Sequence, residues 1–171
     1  IKDEILQGFD YVIKREKNKS ISNNKYLSTI LPCKLINYKI NKNKEIIDWN
    51  NIGNAKPNYN PKYDIFFSGQ ETSKNRNDLI EFLKSKKYNF FGRAENSKIP
   101  FKEYLSNIYD SSINLALEGK GEFTFRHLEI LASCSFMLCE RSINELELPI
   151  PLVDEKHFVS FKDKEDLIEK I

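Results

Sequence analysis

The stretch from residue 112 to residue 140 constrains the fold more than any other part of the chain. Its apolar runs Ile113 to Leu117 and Phe136 to Cys139 are short enough for buried strands, and about a dozen residues with helical spacing separate them. Two buried strands joined by a helix form a β-α-β unit, in which the strands are parallel. The stretch therefore predicts a parallel sheet covered by helices.

The loop before the helix of this unit contains two glycines. It reads Glu118-Gly119-Lys120-Gly121-Glu122, and Thr124 follows as the predicted N-cap of the helix. At such a position, backbone N–H groups and the positive end of the helix dipole point away from the carboxyl edge of the sheet. We therefore predict that Gly119, Lys120 and Gly121 bind an anion there.

Strands and helices also alternate on both sides of this unit. The further predicted segments are, in chain order, a strand at 64–67, a helix at 77–86 capped by Ser73 or Asn75, a strand at 88–91, a helix from Pro100, a strand at 158–161 and a helix through Leu167 and Ile168. This alternation predicts an α/β fold with a Rossmann-like open parallel sheet flanked by helices.

Residues 1–60 have weaker patterns and are predicted to form an arm or linker ahead of a Rossmann-like domain over residues 61–171. A turn-rich segment, 54–61, marks the boundary. The segments predicted within the arm are a strand at 9–13, a loop at 14–25 and an extended linker or edge at 27–35, which contains Pro32. Because the sequence begins at Ile1 rather than Met, we expect a piece of a longer protein, in which residues 1–60 either complete the fold or are the end of a missing acceptor domain.

Charge, hydropathy and cysteine usage exclude several classes of protein. The chain has 27 basic and 25 acidic residues among 171, scattered together, which argues against a dedicated nucleic-acid surface. Without a long apolar run or a signal-peptide pattern, we expect no membrane span and a cytoplasmic location. Cys33, Cys134 and Cys139 lack metal-ligand spacing, so we predict reduced thiols, with the last two in the core, and no metal or cofactor.

Glycines and arginines also follow the other predicted strands. Gly69 follows the first strand, with Arg76 at the start of the next helix, and Arg93 follows the second strand. Ligands of open parallel sheets lie beyond the carboxyl ends of the strands, where a guanidinium can hold phosphate. The alternative for each arginine is a solvated cation at a helix end or in a loop.

The helix after the glycine loop contributes three more candidates. Arg126 and His127 are predicted to contact phosphate or sugar, and Glu129 can accept two hydrogen bonds from a ribose diol. The alternatives are a solvent-exposed Arg126–Glu129 ion pair and a surface or packed histidine. Acidic residues nearby, such as Glu118, have no second acid or base identifiable from sequence, so no catalytic residue is assigned.

These motifs occur in an order that is typical of one group of enzymes. The chain reads DIFFSG, then a basic helix start, then GR, then the stretch from residue 100 to residue 140, in which Arg126, Glu129 and Ala132 form an R-x-x-E-x-x-A pattern and Glu140 ends the next strand. This order resembles the C-terminal, donor-binding domain of GT-B glycosyltransferases. It is most similar to the bacterial group of CgeB-like and group 1 type transferases, with a fainter similarity to exostosin-type enzymes.

The resemblance covers roughly residues 61–171 and implies a nucleotide-sugar site. It implies that Glu129 binds the ribose, that Arg76, Arg126 and the loop from Gly119 to Gly121 lie near the diphosphate, and that Gly69 lines the cleft. The implied partners are a nucleotide-diphosphate sugar, a glycan or other acceptor, and an N-terminal domain. No Asp-x-Asp pair of metal-dependent transferases occurs.

The resemblance also implies limits on what this chain does alone. Gly121 occupies the position at which many retaining relatives carry a second glutamate. Inverting members usually take their general base from the N-terminal domain. We therefore expect this chain to bind the nucleotide-sugar donor but to catalyse little or no sugar transfer by itself. We expect the complete enzyme to act in polysaccharide biosynthesis. Two alternatives fit the same residues: a non-catalytic nucleotide- or phosphate-binding domain, and a flavodoxin-like interaction domain without a ligand.

Overall fold

The structure is a computed structural model that describes residues 12–15, 17–22, 26–29, 58–72, 74–95, 99–149 and 151–171. In chain order its elements are β1 (Val12–Arg15), β2 (Lys17–Asn18), β3 (Tyr26–Thr29), β4 (Tyr63–Gly69), α1 (Lys74–Lys84), β5 (Phe90–Ala94), α2 (Phe101–Tyr109), β6 (Ser111–Ala116), α3 (Phe125–Ala132), β7 (Met137–Glu140), a 3-10 helix (Arg141–Glu145), β8 (Leu146–Glu147), β9 (Val159–Phe161) and α4 (Lys164–Lys170).

Five strands form one parallel sheet in the order β5-β4-β6-β7-β9, and α1 to α4 flank it. The prediction of a Rossmann-like α/β fold is confirmed. Numbered by sequence within the sheet, the order is 2-1-3-4-5, that of a flavodoxin-like doubly wound sheet. The winding direction reverses between β4 and β6, so the loops after these two strands border a crevice at the carboxyl edge.

The core lies on both faces of this sheet because side chains alternate along each strand. On one face, Phe66 and Met137 belong to a cluster that includes side chains of α2 and α3. On the other face, Phe67, Leu115 and Leu138 pack with side chains of α1 and α4. Burial on both sides explains why these strands read as continuous apolar runs.

The second predicted strand ended too early. β5 continues through Gly92 and Arg93, which pair with Phe67 and Ser68 of β4. Gly92 has φ +125°, and a Cβ at this position would lie 1.7 Å from the carbonyl oxygen of Phe67. The glycine is therefore needed for close approach of two strands, and it does not end the strand.

Two predicted boundaries near helices were also wrong. α1 begins at Lys74, so Asn75 lies inside the helix and does not cap it, whereas Ser73 lies outside the described residues. Cys134 is exposed with φ 50°, because α3 ends at Ala132 and the turn that follows leads away from the core. Cys139 is buried in β7 as predicted.

Part of the arm packs against the rest of the chain. β2 pairs antiparallel with β8, and the Lys17 Nζ lies 2.8 Å from Glu147 Oε2. The loop predicted at 14–25 was therefore wrong in part, because a distant strand supplies the hydrogen bonds that local sequence does not reveal. β1 and β3 pair in parallel, while the rest of the strand predicted at 9–13 and of the segment predicted at 27–35 lies outside the described residues.

None of the helices in the described ranges has the length and apolar character that crossing a membrane requires. The longest of them, α1, has 11 residues.

Replacing Gly92 by Ala is expected to lower the free energy of unfolding by about 3 kcal/mol, because the new Cβ would overlap the backbone of β4. Urea unfolding followed by circular dichroism measures this. Gly121→Ala is the control, since the φ of Gly121 is not positive, and its effect should stay within about 1 kcal/mol. Equal unfolding midpoints for Gly92→Ala and the parent would contradict the close approach of these strands.

Candidate functional site

The crevice between β4 and β6 brings together four of the predicted residues, Gly69, Arg76, Gly119 and Arg126. A Cβ on Gly69 would lie 3.1 Å from Arg126 Nη2, and a Cβ on Gly119 would lie 3.1 Å from Arg76 Nη2. Because neither position has a side chain, both guanidinium groups pack directly against backbone.

Arg76 connects the two loops that border the crevice. Its Nη1 donates to the carbonyl oxygen of Gln70 at 2.7 Å, and its Nη2 donates to the carbonyl oxygens of Leu117, at 2.9 Å, and Glu118. The side chain is buried, and burial together with the charge of Arg126 lowers its pKa to about 10. Arg76 is thus a charged group that donates hydrogen bonds to carbonyl oxygens of both loops. Its contact with a diphosphate stays a prediction.

A carboxylate contacts the same loop from the opposite direction. Glu140, at the end of β7, accepts a hydrogen bond from the backbone N–H of Glu118, and the Ser142 hydroxyl donates to the Glu118 carboxylate. Burial raises the pKa of Glu140. Sequence reasoning identified Glu140 only through the resemblance. Its position as the last residue of β7, the strand beside β6, was the signal that could have placed it at this loop.

Arg126 lies in the first turn of α3, and its guanidinium lies over two aromatic rings. The guanidinium carbon is 4.5 Å from the ring centroid of Phe67 and 5.2 Å from that of Tyr104. Within the part of the chain that the structure describes, Arg126 forms no ion pair, so the alternative pairing with Glu129 is not observed. Its positive charge faces the crevice without a carboxylate partner among those residues.

Glu129 is buried one turn further along α3. Its Oε2 accepts a hydrogen bond of 2.8 Å from the hydroxyl of Tyr104, which is also buried. Tyr104 therefore contacts both Arg126 and Glu129. Sequence analysis did not select Tyr104, because nothing in the spacing of α2 and α3 shows that the two helices meet.

His127 is a buried part of the cap of α3. Thr124 is the N-cap as predicted, and its backbone N–H donates to His127 Nδ1 at 3.0 Å. The imidazole stacks on Phe123 with ring centroids 4.9 Å apart. Burial, and secondarily the charge of Arg126, lowers the pKa of His127 to about 3. His127 therefore has the role given above as the alternative to a phosphate or sugar contact, that of a packed histidine. Its ring is neutral and fixes the end of the glycine loop.

The other predicted residues have fewer contacts. Lys120 is exposed on the loop, and Gly121 accepts a backbone hydrogen bond of 3.0 Å from Gly119. Arg93 is exposed on β5 and forms an ion pair of 3.2 Å with Glu95. The solvated-cation alternative describes Arg93, although its pairing with Ser68 places it next to the end of β4.

A separate hollow of about 280 Å³ lies between the 3-10 helix, β9 and α4. Asp154 lines it and accepts hydrogen bonds from the backbone N–H groups of Ser160 and Glu155 and from the side chain of Asn144. Although burial acts in the opposite direction, these bonds and one from the Ser160 hydroxyl lower the pKa of Asp154. The Asp154 carboxylate therefore accepts a hydrogen bond from a backbone N–H group on the exposed edge of β9.

Neither a scan against protein-family models nor a search of curated proteins finds a match to the chain.

The neutral, buried His127 predicts a specific acid sensitivity. Because the pKa of the ring falls from 6.5 to about 3 on folding, the unfolded chain binds the extra proton between these values, so stability is lost as pH falls through this window. Glutamine at this position keeps an acceptor for the Thr124 N–H. For His127→Gln, we expect a pH dependence of the unfolding free energy that is shallower by up to about 1.4 kcal/mol per pH unit.

Urea unfolding from about pH 7 to about pH 4 measures this slope. His157→Gln makes the same substitution at an exposed histidine, whose Nδ1 also accepts a backbone N–H, from Val153 at 2.9 Å, so it is the matched control for loss of an imidazole without loss of a buried one. Parallel curves for His127→Gln and the parent would mean that His127 is not held neutral by burial.

Proposed function

We propose that this chain is the donor-binding domain of a metal-independent GT-B glycosyltransferase, which transfers sugar from a nucleotide-diphosphate sugar to a glycan or another acceptor. The observation that carries the proposal is the Arg126 guanidinium. It lies at the switch point of the sheet without an ion-pair partner in the described ranges, one helical turn from the carboxylate of Glu129. A cytoplasmic location and a role in polysaccharide biosynthesis belong to the same proposal.

The surroundings of Arg126 suit a diphosphate. The guanidinium carbon lies over the rings of Phe67 and Tyr104, and because such cation–π contacts use no N–H donor, the N–H groups of Arg126 can donate to phosphate oxygens. The start of α3 adds the positive end of its helix dipole, and Lys120 adds an exposed charge on the adjacent loop. These groups would offset the charge of the leaving nucleotide, as a divalent ion does in metal-dependent enzymes.

Glu129 suits the ribose of the same ligand. A carboxylate has about four acceptor positions, and only Oε2 accepts a bond, from Tyr104, among the described residues. The Oε1 atom is therefore available for the ribose diol. The spacing of one helical turn between Arg126 and Glu129 matches the adjacency of ribose and phosphate in a nucleotide.

A non-catalytic nucleotide- or phosphate-binding domain is the second candidate. The flavodoxin-like strand order favours it, because that order occurs in sheets that bind a phosphate-bearing ligand at the same switch point without sugar transfer. Such a domain would bind the nucleotide but support no transfer even when joined to a complete acceptor domain.

Calorimetric titration of the chain with UDP, GDP, CDP, ADP and their common sugar conjugates tests the proposal. One nucleotide should bind, and Arg126→Ala and Glu129→Ala should each weaken its binding by about 1 to 3 kcal/mol, the range for a lost charged hydrogen bond.

Lys84→Ala is the control for loss of a positive charge, because Lys84 is exposed in the last turn of α1, toward the opposite edge of the sheet. Its binding should equal that of the parent. Binding that is unchanged in both crevice variants would favour a flavodoxin-like interaction domain without a ligand at this edge.

A further inference from the structure

We infer that Tyr104 is a positioning residue that holds Arg126 and Glu129 in the arrangement required by one ligand class, nucleoside diphosphates with an intact ribose diol. The inference rests on the proposed function and names a residue on α2, outside the loops and the helix that the sequence indicated. It explains how two side chains of one helix would bind two parts of a ligand as a unit.

The hydroxyl of Tyr104 fixes the carboxylate of Glu129. The donor oxygen lies 2.8 Å from Oε2 in a buried environment, where a hydrogen bond to a charged acceptor is strong. With Oε2 held in this way, Oε1 points in a defined direction. A carboxylate without this contact would sample several χ rotamers and would bind a diol less well.

The ring of Tyr104 supports Arg126. The guanidinium carbon lies 5.2 Å from the ring centroid, within the range of a cation–π contact. The ring itself is fixed by two aromatic neighbours, Phe66 at 5.9 Å and Phe101 at 6.0 Å between centroids. Tyr104 therefore joins Arg126 and Glu129 to packed side chains of the core, and this packing would restrict the movement of both.

A positioning role and a purely structural role predict different results. If Tyr104 only filled the core, its loss would weaken every ligand of the crevice by the same factor. If its hydroxyl acts through Glu129, the loss appears only with ligands that carry the diol. A ligand pair that differs only in the diol separates these possibilities.

The experiment compares UDP, GDP, CDP and ADP with their 2′,3′-dideoxy counterparts by calorimetry on the full chain. Tyr104→Phe keeps the ring and removes the hydroxyl. For the nucleoside diphosphate that binds, we expect dissociation constants about tenfold higher in this variant. For its dideoxy counterpart, the change should stay within about twofold.

Three further variants make the result specific. Tyr109→Phe is the same chemical change on an exposed tyrosine of α2 and should leave binding unchanged. In a Glu129→Gln background, Tyr104→Phe should add no further diol-specific loss, because the two residues act in one step. Tyr104→Met also lacks the hydroxyl but is accommodated in a core, and it should weaken the ribose ligand more than the dideoxy ligand even if Tyr104→Phe fails to fold.

The outcomes separate the two proposals. If the parent chain, shown to be folded, binds none of the nucleoside diphosphates, the proposed function fails and this inference fails with it. If the parent binds one of them and Tyr104→Phe weakens both members of the ligand pair equally, or weakens neither, the positioning role alone is overturned.

Discussion

One buried guanidinium, that of Arg76, holds together the two loops that form the crevice. A charge removed from water costs several kcal/mol unless hydrogen bonds replace the lost solvation, and three backbone carbonyls of these loops replace it here. The same bonds satisfy loop carbonyls that no strand or helix can pair. On the other side of the loop, Glu140 accepts the N–H of Glu118. The conformation of the glycine loop thus depends on one cation and one carboxylate, together with His127 at the end of the loop.

Arg76 and Arg126 look equivalent in the sequence, since each lies at the start of a helix after a glycine, yet the structure gives them different surroundings. Arg76 is buried and donates to backbone carbonyls, whereas Arg126 is partly exposed, lies over aromatic rings and forms no ion pair with the residues that the structure describes. Their mutual repulsion contributes to the lowered pKa of Arg76. A bound anion would relieve this repulsion, so the pair of arginines makes the crevice attractive to negative charge.

The sequence predicted the parallel sheet because apolar runs and helical spacing are local signals, and the same holds for Thr124 as the cap of α3. It did not predict that Gly92 continues β5, because a glycine after an apolar run is compatible both with the end of a strand and with close approach of a neighbouring strand. The sequence identified most crevice residues because they follow strands. It did not identify Tyr104 or the hydrogen bond between Glu140 and the backbone N–H of Glu118. Those contacts join separate elements, and their partners are set by helix packing that no local pattern reports.

The pairing of β2 with β8 has a consequence for the order of folding. The side chain of Lys19 donates to the carbonyl of Asn144, 125 residues further along the chain. Closing so large a loop costs conformational entropy, and the two residue pairs between β2 and β8 offset only a small part of that cost. The parallel sheet must therefore assemble first and bring the two segments near each other. High contact order makes this pairing a late event, and local unfolding should open it before the sheet.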